Sequence, residues 1–405
     1  MRETHRPEAR HGRLRRSRPV ATVLRLVGIA LAVVVVASGS IAAYAVWDVA
    51  RTLKPGVDLL GHEDEPAPEV GAIDGPVTVL IAASDSGGGD VAAYGKRGEH
   101  LNDVTMLLHI SADHRSATVV SFPRDLIVPI ASCPREDGKG SYPAQTNKIN
   151  VALTYGGLPC IVKTVENLTG MSIPYAALTE FQGVVGMSNA IGGVTVCVAT
   201  PIHDRAIPFD LDAGEQTLVG QQAVQFLRVR YGLGDGSDLG RVSNQQLFLS
   251  ALVRKVKTPE TLGNPVKVYE LAKAVASNIT PSTSLANLNT IASIGIAVKD
   301  IPFDDVAFVQ YPGASGTRAG QNGVIPITSA ADVLFDALRA DRPIAITGTT
   351  SPVGGTQLDP NAPPPAEPTP TSTASPPGDV VQLPSTITGQ TAAQQTCTRG
   401  QRAGP

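Results

Sequence analysis

Residues 104–110 read Val-Thr-Met-Leu-Leu-His-Ile, and residues 117–125 read Ala-Thr-Val-Val-Ser-Phe-Pro-Arg-Asp. Each opens on a near-continuous apolar run of strand length, and a short polar connection joins the two. A strand with one wet face alternates; a continuous apolar run marks a strand covered on both faces. Val77–Ala83 upstream and Val194–Ala199 and Val306–Tyr311 downstream have the same character. Around these runs the spacing predicts helices near 148–155, 159–168, 218–227, 238–257, 266–277 and 329–339, with 175–191 mainly helical. Strands and helices mixed in this way predict one α/β domain over residues 76–345, an α–β–α arrangement with a central mixed β-sheet between helix layers.

Outward from that domain the composition changes twice. The first 25 residues hold eight arginines, from Arg2 to Arg25, against two glutamates, and the 22 residues from Leu26 to Trp47 carry no charge. A run of that length spans a hydrocarbon core of about 30 Å. The arginines place residues 1–25 in the cytoplasm and the remainder outside. Ala43-Tyr44-Ala45 resembles a signal-peptidase site, but the apolar run and its basic flank are long for a signal peptide, which favours a retained anchor. The sequence therefore predicts a single-pass protein of the cell membrane: cytoplasmic segment 1–25, transmembrane helix 26–47 and an acidic, turn-rich linker 48–75. Beyond residue 345 the chain is rich in Pro, Thr and Ser, which predicts a disordered tail over 346–405, unless Cys397 pairs with the domain and docks its end.

Four cysteines, Cys133, Cys160, Cys197 and Cys397, all follow the span, an even number on the oxidising side of the membrane. Three pairings are open; Cys133 with Cys160 is favoured because it would tie a loop to the next helix. A net charge of −3 gives no electrostatic case for nucleic acid. The chain has no GxxxxGK[ST], HExxH, GxSxG or CxxC, which removes P-loop, zincin, α/β-hydrolase and thioredoxin-like chemistry.

What remains is a set of arginines and aspartates at strand ends. Asp85 follows the first apolar run and Asp103 precedes the second, so neighbouring strands would bring two carboxylates to one sheet edge, where oxygen ligands suit Mg²⁺ or Mn²⁺. On residues alone, turn-forming aspartates explain them better. Arg124 and Asp125 follow the third run directly. Residues 228–246 read Arg-Val-Arg-Tyr-Gly-Leu-Gly-Asp-Gly-Ser-Asp-Leu-Gly-Arg-Val-Ser-Asn-Gln-Gln. Asp238 is a natural N-cap, and Arg241 and Gln245 then share its face of the helix. Arg228 and Arg230 point the same way where the chain is extended. Guanidinium groups bind phosphate through paired hydrogen bonds, so a cluster of Arg124, Arg228, Arg230 and Arg241, with Lys148, would suit a diphosphate. The bland alternative is a solvated helix face.

The motifs Ala-Ser-Asp-Ser (83–86), Asn-Asp-Val-Thr-Met-Leu-Leu-His-Ile (102–110), Ser-Phe-Pro-Arg-Asp (121–125), Asn-Lys-Ile-Asn (147–150) and the segment 228–246 together resemble the LytR-CpsA-Psr family, in wording close to its actinobacterial members. That resemblance covers roughly residues 76–258. It implies a phosphotransferase that moves a polyprenyl-pyrophosphate-linked glycan, arabinogalactan or a similar wall polymer, onto peptidoglycan, with the lipid tail in an apolar tunnel. By motif position it implies Asp85 and Asp103 as Mg²⁺ ligands. Arg124, Arg228, Arg230 and Arg241 would grip the pyrophosphate with Gln245 alongside, Asp238 would orient an arginine and Lys148 would line the site. Asp125 or Asp103 would take the acceptor's proton. This chain departs from the family's usual arginines at Gly87 and Leu101. The alternatives are a polyprenyl-pyrophosphate pyrophosphatase and a non-catalytic lipid-carrier scaffold.

Overall fold

The structure, a computed structural model, describes residues 19–62, 75–84, 101–135, 137–362 and 380–401. Helix α1 (Pro19–Thr52) has 34 residues, about 51 Å at 1.5 Å per residue, and is long and apolar enough to cross a membrane. It begins earlier and ends later than the expected span of 26–47. The folded unit starts at Val49. Within the expected linker, Leu59 is buried in the core and Val57 bridges to Ser282, so 53–62 belongs to the domain; residues 63–74 lie outside the described residues.

The central sheet has seven strands: β1 (Val77–Ser84), β2 (Asn102–Ile110), β3 (Ala117–Phe122), then β6 (Tyr175–Glu180), β9 (Ile279–Pro281), β10 (Val306–Gln310) and β14 (Gly389–Thr391). Their order is β9-β6-β1-β2-β3-β10-β14. β1–β2 and β2–β3 are antiparallel, while β1–β6 and β3–β10 are parallel, so the sheet is mixed. The three runs that decided the fold lie side by side at its centre. Smaller units surround it: the pair β4 (Ile127–Ile130) and β5 (Gln145–Lys148), and the hairpin β11 (Gly313–Arg318) and β12 (Gln321–Pro326). A second sheet has the order β8 (Gly214–Leu218), β7 (Val194–Thr200), β15 (Thr396–Arg399), β13 (Thr356–Leu358).

The helices of the domain that matter below are α2 (Gly157–Thr169), α3 (Phe181–Ala190), α4 (Gln221–Arg228), α5 (Asp238–Val256), α6 (Pro265–Asn278), α7 (Leu288–Lys299) and α8 (Thr328–Arg339). On one sheet face Leu80, Leu107, Val120 and Phe122 pack against Ile161 and Val165 of α2 and Leu334 and Phe335 of α8. On the other, Val79, Ile110 and Phe308 meet α5 and α7 through Leu249, Val253 and Ile294. Residues one apart on a strand point to opposite faces, which is why a continuous apolar run is required.

Three expectations need correction. Residues 175–180 form strand β6 rather than the start of a helix, because parallel pairing with β1 outweighs the helix preference of its alanines. Residues 145–148 are strand β5 and 149–153 a short 3₁₀ turn, so the helix expected from 148 to 155 is absent. The tail is not wholly disordered: β13, β14 and β15 lie within 346–405, and β14 completes the central sheet. The physical reason is covalent as well as hydrogen-bonded, since Cys397 is disulfide-bonded to Cys197 across β15 and β7. Cys133 is bonded to Cys160, fixing the loop after β4 to α2. Residues 363–379 lie outside the described residues.

Candidate anion site at the mouth of an apolar cavity

The site begins with an irregularity in β2. Ala83 pairs with Val104 and Ser84 with Asn102, so Asp103 is the extra residue of a β-bulge. A bulge re-aims one side chain without ending the ladder, and here it turns the carboxylate of Asp103 towards the end of β3. Arg124 follows β3 after Pro123, and its Nη1 donates to Asp103 Oδ1 at 2.5 Å. Arg241, on the first turn of α5 and 5 % exposed, lies 3.8 Å from the same oxygen through Nη1. Its Nη2 donates to the Asp103 carbonyl at 3.3 Å.

Asp238 holds the other side of this cluster. Ser237 occupies the N-cap position and Asp238 is the first helical residue, so the helix starts one residue earlier than the sequence implied. A carboxylate there is stabilised by the helix dipole. Arg241 Nη2 forms an ion pair with Asp238 Oδ1 at 2.6 Å, the Asp125 backbone N–H donates to Asp238 Oδ2 at 3.4 Å, and Arg124 Nε is 3.9 Å from Asp238 Oδ1. Asp125 in turn accepts from Lys148 Nζ at 3.1 Å and stands 3.7 Å from Arg230 Nη2. Four cations and three carboxylates thus interlock across β2, the β3 exit, β5, the 229–237 loop and α5.

Two buried guanidinium nitrogens, Arg124 Nε and Arg241 Nε, have no hydrogen-bond partner. Burial alone would lower Arg124, but Asp103, Asp238 and Asp125 together raise it above the usual arginine value. For Arg241 burial prevails over Asp238 and Asp103, and its pKa falls; arginine stays charged regardless. Burial pushes Asp125 up, yet Arg124, Lys148 and Arg230 outweigh it and hold the carboxyl below the ordinary value. A depressed carboxylate orients cations well and accepts a proton poorly.

Arg228 ends α4 and its guanidinium stands 5.4 Å from the ring centroid of Phe181. Phe181 lines a cavity of about 430 Å³ between the sheet and α3, α5, α6 and α7. The cavity wall is almost wholly apolar, with Val79 and Ile81 from β1, Val104, Met106 and Leu108 from β2, and Leu249 from α5. Gln245 borders it, and its Nε2 donates to the Leu227 carbonyl at 3.2 Å, one turn along α5 from Arg241. The arginines and the cavity therefore share an edge.

One residue outside every motif shapes the site. Asp204, 4 % exposed, accepts from the backbone N–H groups of Arg230 at 2.8 Å and Gly232 at 3.1 Å through Oδ2, and from Ala206 N–H at 2.8 Å through Oδ1. It fixes the backbone from which Arg230 reaches Asp125. Its position in the hairpin 202–211 carries no sequence signal beyond a buried aspartate, which only the structure reveals.

Of the two expected metal ligands, Asp85 lies outside the described residues. Asp103 is engaged by Arg124 and Arg241, so by itself it does not make a divalent-ion site. Among the described residues the one convergence of three metal-capable groups is Cys197, Asp359 and Cys397, where both sulfurs belong to a disulfide.

The family model described as the LytR_cpsA_psr family matches residues 59–339. The cell wall biosynthesis protein LcpA of Corynebacterium glutamicum is 27% identical over 283 residues, covering 64% of this chain and 54% of that protein. The chain thus spans about half the length of that relative. Bacillus subtilis TagT, a polyisoprenyl-teichoic acid–peptidoglycan teichoic acid transferase, is 26% identical over 311 residues, covering 71% of this chain and 90% of TagT. Among solved structures, protein gbs0355 of Streptococcus agalactiae superimposes with a TM-score of 0.54 at 22% identity, covering 66% of this chain and 88% of that chain, a likeness of fold.

Proposed function

The chain belongs to the LytR_cpsA_psr family, and we propose that it is a membrane-anchored phosphotransferase that moves a polyprenyl-pyrophosphate-linked wall glycan, arabinogalactan or a similar polymer, onto peptidoglycan. The observation that carries this reading is the shared edge between an arginine cluster and an apolar cavity. One ligand class matches both at once: a lipid chain ending in a diphosphate. The transferase activity named for TagT supports the same reaction type. Helix α1 would be the anchor, with the arginines of residues 2–18 on the cytoplasmic side and the domain outside.

In this reading the lipid lies along Ile81, Met106 and Leu249, and Arg124, Arg230 and Arg241 take the diphosphate oxygens, displacing part of their contacts with Asp103 and Asp125. Arg228 would close over the phosphate nearer the cavity. A hydroxyl of the acceptor attacks the phosphorus nearest the glycan; the new P–O ester forms as the P–O–P bridge breaks, and polyprenyl phosphate leaves with the bridging oxygen. The hydroxyl proton is released as the ester forms. Asp125 serves to orient Lys148 and Arg230, because its depressed pKa makes it a weak base. The protein's contribution is positioning and charge stabilisation. Mg²⁺ or Mn²⁺ is part of the proposal: Asp103, together with Asp85, would hold it, and it would neutralise charge on the leaving phosphate; no step above requires it, and loss of transfer on chelation with restoration by Mg²⁺ is its test.

The decisive experiment incubates the full-length protein in detergent with a polyprenyl-pyrophosphate glycan and peptidoglycan, and follows the phosphodiester product by mass spectrometry. Arg230→Ala should lower the rate by about 10²–10³ while leaving the thermal transition in place. Glycan phosphate released without acceptor would make the protein a pyrophosphatase. Donor binding with no turnover would make it a scaffold.

A further inference from the structure

A second cleft opens at the far end of β2, about 20 Å along the strand from Asp103 at 3.3 Å per residue. It measures about 610 Å³, within the usual range of small-ligand sites. Its floor includes His109 of β2 and Thr118 of β3; Asp341, just past α8, forms one side. The opposite wall, with Thr350 and Gln357, comes from the tail, beyond the family match that ends at residue 339. We propose that this cleft binds a neutral, hydroxyl-rich saccharide segment.

The argument starts with His109. The residue is 6 % exposed, its Nε2 has no hydrogen-bond partner, and Asp341 Oδ1 is 3.6 Å from it, beyond hydrogen-bond distance. Its Nδ1 lies 3.3 Å from Thr78 Oγ1. Burial lowers its pKa despite Asp341, so the imidazole is neutral near pH 7. With the Thr78 hydroxyl donating to Nδ1, an assignment made from the hydrogen-bond network, Nε2 is an N–H donor at the cleft wall. A buried donor left unpaired is destabilising, and a sugar oxygen would satisfy it.

Charge narrows the ligand class. Asp304, Asp305 and Asp341 face the cleft against Arg342 alone, which disfavours phosphate and carboxylate ligands. The wall is too polar for lipid. The carboxylates of this cleft do not gather into a metal-capable group of three among the described residues. Carboxylates accepting from adjacent hydroxyls, with an imidazole N–H donating to a ring or hydroxyl oxygen, is the pattern a neutral saccharide fits. The choice of sugar rests on the wall-polymer reading above; the cleft itself uses none of the arginine cluster.

The test is calorimetry and saturation-transfer NMR on the full-length protein in detergent, with a neutral galactan hexasaccharide and a neutral arabinan hexasaccharide as probes. One or both should bind saturably. His109→Phe, which removes the donor, and Ser116→Trp, which fills the mouth and keeps the backbone bond from the Ser111 N–H to the residue-116 carbonyl, should each weaken binding about tenfold or more. Arg230→Ala should leave it unchanged. Absence of saturable binding to both probes would overturn the proposal, as would binding lost in Arg230→Ala and indifferent to Ser116→Trp. If transfer fails in the wild-type protein while the saccharide still binds, the function proposed above falls and this site stands.

Discussion

The two faces of β2 are built from adjacent residues and meet different surroundings. Thr105, Leu107 and His109 point to the face covered by α2 and α8 and are buried there. Val104, Met106 and Leu108, their immediate neighbours, are interior yet only half-buried, because they border the apolar cavity rather than packed side chains. The difference separates two uses of apolar residues. On one face they exclude one another's volume and hold the sheet; on the other they keep a volume open for something else to fill. Both uses read alike in the sequence, as one near-continuous apolar run from Val104 to Leu108.

The largest contrast should appear in stability. Leu107→Ala removes a side chain from a close-packed face and should cost about 2–5 kcal/mol. Met106→Ala enlarges a cavity that already exists and should cost less than about 1 kcal/mol, since fewer packed contacts are lost. Urea unfolding of the two variants measures both. Equal costs would mean that the cavity is closed in solution.

The converse substitution comes next. Leu249→Trp pushes an indole into the cavity from α5 and should hold or raise the unfolding midpoint. It should also lower transfer from a long-chain polyprenyl donor by about tenfold to a hundredfold, the equivalent of roughly 1.4–2.7 kcal/mol of lost binding. A donor with a short, water-soluble lipid should be affected little. An equal loss with both donors would place the lipid elsewhere.

These faces also mark what was legible beforehand. The strands, their central placement and the arginines at their ends were readable, because apolar runs, caps and charged strand ends are local signals. Asp103 and Arg124, both expected at the end of the central strands, are in direct contact. The bulge that aims Asp103 was not readable, since it depends on a register slip against β1. Asp204 was invisible for the same kind of reason: its meaning lies in three backbone N–H groups, two of them 26 and 28 residues away. The tail misled through composition, because Pro and Thr content describes a segment's own core-forming power and not a partner sheet that will take its strands. The strand at 175–180 was missed because two alanines carry no pattern until β1 lies beside them.

A smaller effect tests the part of the site that sequence did not supply. Asp204→Asn keeps the shape and loses the charge that gathers the Arg230 and Gly232 amides. If Asp204 acts by positioning Arg230, transfer should fall about tenfold, a charged-acceptor hydrogen bond being worth about 1.5–3 kcal/mol. Asp204→Asn should then add little in an Arg230→Ala background. A full additional loss there would make Asp204 merely structural.

The smallest expected effects separate the two ends of β2 by pH. His109 has a folded pKa below its ordinary value, chiefly through burial. Its contribution to stability is therefore complete above about pH 6.5, the unfolded histidine value, and is lost as pH falls through the folded value. Asp125 is also depressed, by Arg124, Lys148 and Arg230 acting against burial. Its contribution is present above about pH 3.9 and is lost only as pH falls below that. His203, raised by its exposed pairing with Asp210, works in the opposite direction to His109, so the wild-type curve alone mixes the two. The comparison of His109→Phe with wild type isolates the cleft end: the variant's urea midpoint should flatten between pH 7 and 5 and keep the acid loss below pH 4. Asp125→Asn should do the reverse. Because Asp125 stays ionised through the neutral range, wild-type transfer should show no acid limb from it between pH 5 and 8, and such a limb abolished by Asp125→Asn would return Asp125 to the role of general base.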